Sequence, residues 1–286
     1  MTRPDLHLHS TFSDGVMAPE LLLHEAVQAG VTVMAVTDHD TFAGSDALLG
    51  ADTPIPVIPG VELSISDMHG LHLLGYGYAR GEELRSTVEE LARKRVERAR
   101  RMLERLAEMG MPLDWRVLER KYRGTVGRPH IARAMVHARY VSRMQEAFDK
   151  YLGHGRPAYV PSERLGMAEA LELLRRNGFV PVLAHPWELG LNAEQLVPLI
   201  DKWQAQGLLG LEVYHPSAES HGWHTLENIA RRRGLLVTGG SDFHQENDRH
   251  GRIGATAPFW ARAEEDMEAL RDALERGQQA DRREQV

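Results

Sequence analysis

Cysteine is absent from this chain, which excludes disulfides, thiolate nucleophiles and sulfur-ligated zinc or iron–sulfur centres together. Any metal must be held by nitrogen and oxygen. Also missing is an apolar stretch of the roughly 18 residues that a bilayer crossing needs, and the opening residues MTRPDLHLHS carry no secretory apolar run. These absences predict a cytoplasmic protein with no membrane partner. No G-x-G-x-x-G or Walker sequence occurs, which argues against a dinucleotide-binding sheet or a P-loop. Lysine is scarce, limited to Lys94, Lys121, Lys150 and Lys202 against thirty arginines.

What is present describes a globular chain: 286 residues, 42% hydrophobic and 26% charged, enough for one large domain or a medium domain carrying an insert. The net charge of −7 is unevenly spread. Residues 80–165 hold twenty Lys/Arg against twelve Asp/Glu, a net of +8, which leaves −15 for the remainder. A basic island on an acidic body suits a polyanionic ligand, and a solvated helical surface would give the same count.

Short apolar runs alternate with helix-like stretches at both ends of the chain. Strands are predicted over Asp5–His9, Val31–Thr37, Pro56–Ile65, Leu71–Tyr78, Phe179–Ala184, Gly210–Tyr214 and Leu235–Thr238. Helices are predicted over Pro19–Ala29 and Phe42–Leu49, up to Asn177, from Ala193, up to Gly234, and over Ala263–Arg276, with Gly277–Val286 as a frayed tail. Between the fourth and fifth strands the pattern changes. Leu84, Val88, Leu91, Val96, Ala99, Leu103 and Leu106 recur at helical spacing from Glu82 to Met109, ahead of Gly110, and His130–Arg139 and Arg143–Leu152 read as further helices. The chain therefore divides into 1–79 and 166–286, two parts of one largely parallel (β/α)-barrel, around an all-helical insert at 80–165.

Histidines and carboxylates gather at the predicted strand ends: His7 and His9 with Asp14 just beyond, Asp38 and His39, Glu62, His72, His185, then Asp242 and His244. Strand C-termini of a βα barrel open on one face, so these residues converge. Residues two apart on a strand point the same way, so His7 with His9, and Asp242 with His244, can each address one ion. Any one histidine is readily an ordinary polar residue, but six with three carboxylates at successive strand ends are too many for one ion and costly to bury unpaired. Two or three divalent metals are implied. Imidazole and carboxylate without sulfur suit manganese, iron or zinc, and geometry and availability rather than sequence select among them.

The segments Asp5-Leu6-His7-Leu8-His9-Ser10, Thr37-Asp38-His39-Asp40, Pro59-Gly60-Val61-Glu62, Ala184-His185-Pro186 and Gly240-Ser241-Asp242-Phe243-His244 resemble the successive motifs of the PHP (polymerase and histidinol phosphatase) family. The resemblance implies a distorted seven-stranded (β/α)7 barrel, an α/β fold, whose metal centre hydrolyses phosphoesters. Carried over by position, it implies one ion on His7, His9, Glu62 and Asp242, a second on Glu62, His72 and His185, and a third on Asp14, His39 and His244. Asp38 and Asp40 would orient ligand imidazoles from behind. Ser13-Asp14-Gly15, the segment Gly127-Arg128-Pro129-His130-Ile131-Ala132-Arg133, Lys150-Tyr151-Leu152 and Arg156-Pro157-Ala158-Tyr159-Val160 are similar to the subgroup of 3′,5′-nucleoside bisphosphate phosphatases and the 5′→3′ exoribonuclease RNase AM. In that subgroup the insert caps the site and binds substrate phosphate. This implies a nucleotide or short-RNA substrate, with Arg128, His130, Arg133 and Arg156 as phosphate-binding candidates.

Adjacent cations acidify a bridging water, so a metal-bridging hydroxide is the expected nucleophile and no protein nucleophile is needed. Ser10, Ser64 and Ser241 lack a G-x-S-x-G context and read as turn formers or donors to neighbouring groups. Trp187 and Tyr214 are candidates to stack a base or to pack at the barrel rim, while His215, His221, His224 and His250 receive no role. An amidohydrolase-type barrel also opens with H-x-H but bridges its ions with a carboxylated lysine, and no lysine stands at a predicted strand end. A histidinol-phosphate-type monoesterase and a non-catalytic, metal-stabilised RNA-binding module remain as alternatives. The complete donor set argues against the module.

Overall fold

The computed structural model describes residues 2–78, 81–122, 126–245 and 251–284. The seven apolar runs form β1 (Pro4–Leu8), β2 (Val33–Val36), β3 (Val57–Ser64), β4 (His72–Tyr76), β5 (Val180–Leu183), β6 (Gly210–Tyr214) and β7 (Leu236–Gly239), paired in sequence order in one sheet. Most pairs are parallel, but β4 runs antiparallel to both β3 and β5. Residues 65–71 are too few for a helical crossover, so β3 and β4 form a hairpin.

The sheet closes on itself between β1 and the segment after β7. Asp242 N–H donates to His7 O at 2.9 Å and His9 N–H donates to Phe243 O at 3.1 Å. Buried Asp5 fastens the same seam by accepting from the N–H groups of Ser241 and Gly254 at 2.9 and 2.7 Å. Burial pushes the Asp5 carboxyl up to about 6 despite these bonds.

Helices cover the barrel where their apolar stripes meet the strands: α1 (Pro19–Gln28) and α2 (Ala43–Leu48) early, and α7 (Met167–Arg176), α8 (Ala193–Ala205), α9 (Glu219–Arg232) and α10 (Ala263–Glu284) late. Leu171, Leu174, Leu196, Leu226 and Leu270 share one core with the strand residues Leu63, Leu73, Val182, Leu211 and Val237. The last helix passes the expected end at Arg276 and continues to Glu284. Gly277 lies inside that helix, and its bare Cα packs against the backbone of Gly178, where an added Cβ would stand 2.1 Å from the carbonyl oxygen.

Between β4 and β5 lie α3 (Glu82–Glu108), α4 (Trp115–Lys121), α5 (Arg128–His137), α6 (Met144–Ala147) and a π-helical turn at Phe148–Leu152. The first half of α3 contributes Leu84, Val88 and Leu91 to the barrel core. Its second half carries Met102, Leu103 and Leu106 into a separate core with Leu118, Ile131, Met135, Leu152 and Val160. One 27-residue helix thus ties the two bodies together. The boundary expected at 79/80 falls outside the described residues. Leu165 returns the chain to the barrel by pairing with Ile65. Among the described residues no helix is long and apolar enough to cross a membrane.

Candidate metal centre

The nine donors predicted from sequence lie around one buried point at the end of the barrel. His7 and His9 extend from β1 and its end, Glu62 from β3, and Asp242 and His244 from the segment that closes onto β1. His72 corrects the strand-end rule, because it starts β4 rather than ending it. It reaches this face because β4 is reversed.

Three groups of ligand-capable atoms stand within ion-sized reach: His7, His9, Glu62 and Asp242; His9, Asp14, His39 and His244; and His39, Glu62 and His72. Glu62 lies at their junction. Its Oε2 is 2.9 Å from His39 Nδ1, 3.2 Å from His9 Nε2 and 3.4 Å from His7 Nε2. Its Oε1 is 2.7 Å from His72 Nδ1 and 3.0 Å from His185 Nε2. His244 Nε2 stands 3.2 Å from Asp14 Oδ1. The grouping implied by resemblance is altered in three respects: His9 and His39 each border two groups, and His185, beside Glu62, joins none of the three.

This donor set fits divalent cations. Asp14 Oδ1, Glu62 Oε2, His39 Nδ1 and His185 Nδ1 are buried and, despite close charged neighbours, make no well-formed hydrogen bond, a costly state that an ion would relieve. Without cations the imidazoles divide: burial holds His72 down at about 4, while the acids draw protons onto His185 and His244. Burial alone depresses these rings, but Asp14 and Asp242 outweigh it and push His244 up to about 10, and Glu62 pushes His185 up to about 9. Burial works against the ionised Glu62 and Asp14, yet the surrounding histidines hold both well below the usual carboxylate range.

Groups behind the donors fix their tautomers. Glu212 Oε1 is 2.9 Å from His7 Nδ1, so that nitrogen donates and Nε2 presents its lone pair inward. Glu212 Oε2 accepts His185 N–H at 2.7 Å. Ser13 Oγ donates to Asp38 Oδ1 at 2.5 Å, which leaves it an acceptor for His9 Nδ1–H at 3.2 Å. Asp38 also accepts from Ser10 N–H and Oγ–H. Its carboxylate fits because residue 44 is glycine, where a Cβ would come within 1.8 Å of Oδ2. Asp40 differs from expectation: its partners are the Arg95 guanidinium and Ser64 N–H rather than an imidazole. Asp40, His185 and Asp242 hold left-handed φ values of 51°, 27° and 51°, a concentration of backbone strain at one site.

The phosphate-binding candidates separate. His130 is buried and stacked on Tyr122, with Nδ1 accepting Gly127 N–H at 3.0 Å and Nε2 unpartnered. Burial, helped by Arg133 and Arg95 and opposed by Asp14, pushes it down to about 4. Arg133 reaches the Asp14 carbonyl oxygen at 3.3 Å. Arg128 belongs to a second set with Arg95, Arg98 and Arg164. Burial lowers Arg98, Arg128 and Arg164, and their mutual repulsion lowers them further, taking Arg98 to about 9. Arg156 is exposed and is not among the charges acting on Arg128 or Arg164, which removes it from this set. Tyr214 is buried against Trp223 and Trp260, and Trp187 packs on the barrel core, so both are packing residues. His221 and His224 are exposed on α9, and His250 lies outside the described residues.

Sequence reading missed Glu212, Asp5, Arg95, Arg98 and Arg164. Glu212 had a visible signal, a lone acid within the apolar strand GLEVY. The arginines had none, because arginine is common throughout the insert.

The PHP domain pattern matches residues 5–153. The chain belongs to the PHP family. This PHP protein is 33% identical over 248 residues to the 5′-3′ exoribonuclease Rnm of Salmonella typhimurium, spanning 84% of this chain and 85% of that one. It is 31% identical over 277 residues to the 3′,5′-nucleoside bisphosphate phosphatase of Chromobacterium violaceum, spanning 92% and 97%. A crystal structure described as a metal-dependent phosphoesterase from Bifidobacterium adolescentis superposes with a TM-score of 0.78 at 32% identity, covering 90% of this chain and 92% of that one. Family, fold and donor clusters together identify a metal-dependent phosphoesterase.

Proposed function

We propose that this PHP protein removes the 3′-phosphate from nucleoside 3′,5′-bisphosphates and trims short RNA from its 5′ end. The observation that carries the reading is a set of half-buried arginines joined to the donor cluster through Arg95. Arg95 feels Asp40, Asp14 and Glu62, while Arg98, Arg128 and Arg164 repel one another. That is an anion site next to a metal site, which suits a substrate carrying one phosphate to cleave and another to keep. The two named relatives act on such molecules.

In this proposal His7, His9, Glu62 and Asp242 hold one ion, Glu62 with His72 and His185 a second, and Asp14, His39 and His244 a third. Manganese is the foremost candidate, then iron or zinc. Divalent cations held there supply polarisation of the phosphoryl group and acidification of water. The remaining work falls to the chain. Glu212, Ser13 and Asp38 hold imidazole tautomers that face the cations. His130 offers a neutral Nε2–H and Arg133 a cation beside Asp14, both positioned for oxygens of the reacting phosphate. Arg128, Arg98 and Arg164 take the retained phosphate, whose charge relieves their repulsion. No side chain serves as nucleophile: Ser10 Oγ donates to Asp38, Ser64 Oγ accepts from Arg95, and Ser241 is held at its N–H by Asp5.

Phosphate release from adenosine 3′,5′-bisphosphate, histidinol phosphate and 5′-monophosphorylated RNA tests the substrate class. Preference for histidinol phosphate sinks it in favour of the monoesterase alternative. Arg128→Ala should raise KM for the bisphosphate by about ten- to a hundredfold and spare an aryl phosphate, since only the former uses a second phosphate contact. Equal losses on both would move Arg128 to the reacting phosphate.

A further inference from the structure

His215 follows β6, is only 1% exposed, and stands outside the donor set described above. Its ring centre is 5.4 Å from that of His185 and 6.3 Å from that of His7. Ser217 N–H lies 3.2 Å from His215 Nδ1, and Ser217 Oγ lies 2.7 Å away. A backbone N–H can only donate, so Nδ1 accepts and the neutral ring carries its proton on Nε2. The His215 carbonyl is pinned as well, accepting Trp223 Nε1–H at 2.7 Å.

That leaves one polar atom of the side chain to account for. His215 Nε2 is buried and makes no hydrogen bond, yet buried donors in folded proteins are nearly always paired. Asp242 Oδ2 lies 3.5 Å from it, at the edge of hydrogen-bonding distance. The other oxygen, Oδ1, faces the cation group, 3.1 Å from His9 Nε2 and 3.3 Å from His7 Nε2. The two oxygens of Asp242 therefore meet different surroundings. Asp242 also stands on strained backbone, with φ of 51°, so its direction is set by what surrounds it.

We propose that His215 is a positioning residue of the metal centre: its Nε2–H takes Asp242 Oδ2 and so keeps Oδ1 directed at the cation shared with His7, His9 and Glu62. This rests on the ligand set proposed above. It gives Asp242 the kind of support that Glu212 gives His7, an outer partner that fixes an inner donor.

The test is Mn2+ binding to His215→Met, His215→Asn and His215→Gln, measured without substrate beside the unsubstituted protein. Glutamine can place an amide N–H about where Nε2 stands, asparagine is too short, and methionine fills the space with no donor. Methionine and asparagine should weaken Mn2+ binding about ten- to a hundredfold, while glutamine stays within about threefold of the unsubstituted protein. Metal-free melting temperatures and circular dichroism should agree across the set, and kcat should fall with KM unchanged. Unsubstituted-level binding by His215→Met, or glutamine as weak as methionine, overturns the proposal. If the unsubstituted protein binds no Mn2+, Zn2+ or Fe2+, the ligand set itself fails and the proposal with it. Should the variants not fold, ring-nitrogen NMR of the metal-free and zinc-loaded unsubstituted protein decides: Nε2–H is expected, and Nδ1–H refutes the clamp.

Discussion

Glu62 is the side chain whose two oxygens divide the imidazoles between them, His72 and His185 on one and His7, His9 and His39 on the other. Glu62→Gln removes the charge and puts an amide N–H against nitrogen lone pairs. Phosphate release should drop by about a thousandfold or more, and elemental analysis should show lost metal. Retention of both activity and metal would show that the clusters do not act together. His130 gives a separate, pH-based prediction. Burial pushes its ring down to about 4 from the usual 6.5 of histidine, so folding favours the neutral form. Its stability contribution is complete above about 6.5 and is lost as pH falls toward 4, by up to about 3 kcal/mol. His130→Gln should melt with a shallower acid dependence over that window, and bound cations steepen the contrast because they repel the imidazolium. At this scale the donors were legible because they punctuate apolar strands. Glu212 was missed although a lone acid inside GLEVY is a visible signal, and His215 was not legible because it falls outside the matched motifs.

Within single elements, periodicity located all seven strands and the long α3, but direction left no trace in composition. Only the short connection at 65–71 signals that β4 is reversed. The end of α10 was misread because the polar run from Gly277 to Val286 reads as a frayed tail. That misreading makes a test. Helix propensity alone predicts that Gly277→Ala stabilises by about 1 kcal/mol. Contact with the Gly178 carbonyl predicts the reverse, a loss of about 1–3 kcal/mol, because backbone on both sides has to move. Thermal unfolding of the two proteins separates these by sign. A gain in melting temperature would mean that α10 does not pack there.

Across the whole molecule, metal and stability should be linked. Eight clustered donors with His185 beside them, several of their atoms buried without a hydrogen bond, leave the metal-free state under electrostatic tension. Chelation should abolish phosphate release and lower the melting temperature. Returning manganese should restore both, by about 2.7 kcal/mol when the free ion is a hundredfold above its dissociation constant. A melting temperature indifferent to metal would place the ions outside these clusters. The barrel was legible as a whole because each βα unit announces itself locally. The sharing of α3 between two cores was not, because a helix reads as amphipathic whatever it packs against.

The seam between β1 and the segment after β7 has a consequence for the protein's birth. His7 and His9 leave the ribosome before Asp242 and His244, which stand beside them in the fold but are made more than two hundred residues later. Contacts this distant in sequence form slowly. The donor cluster is therefore complete only once the segment after β7 has swung round to meet the first strand.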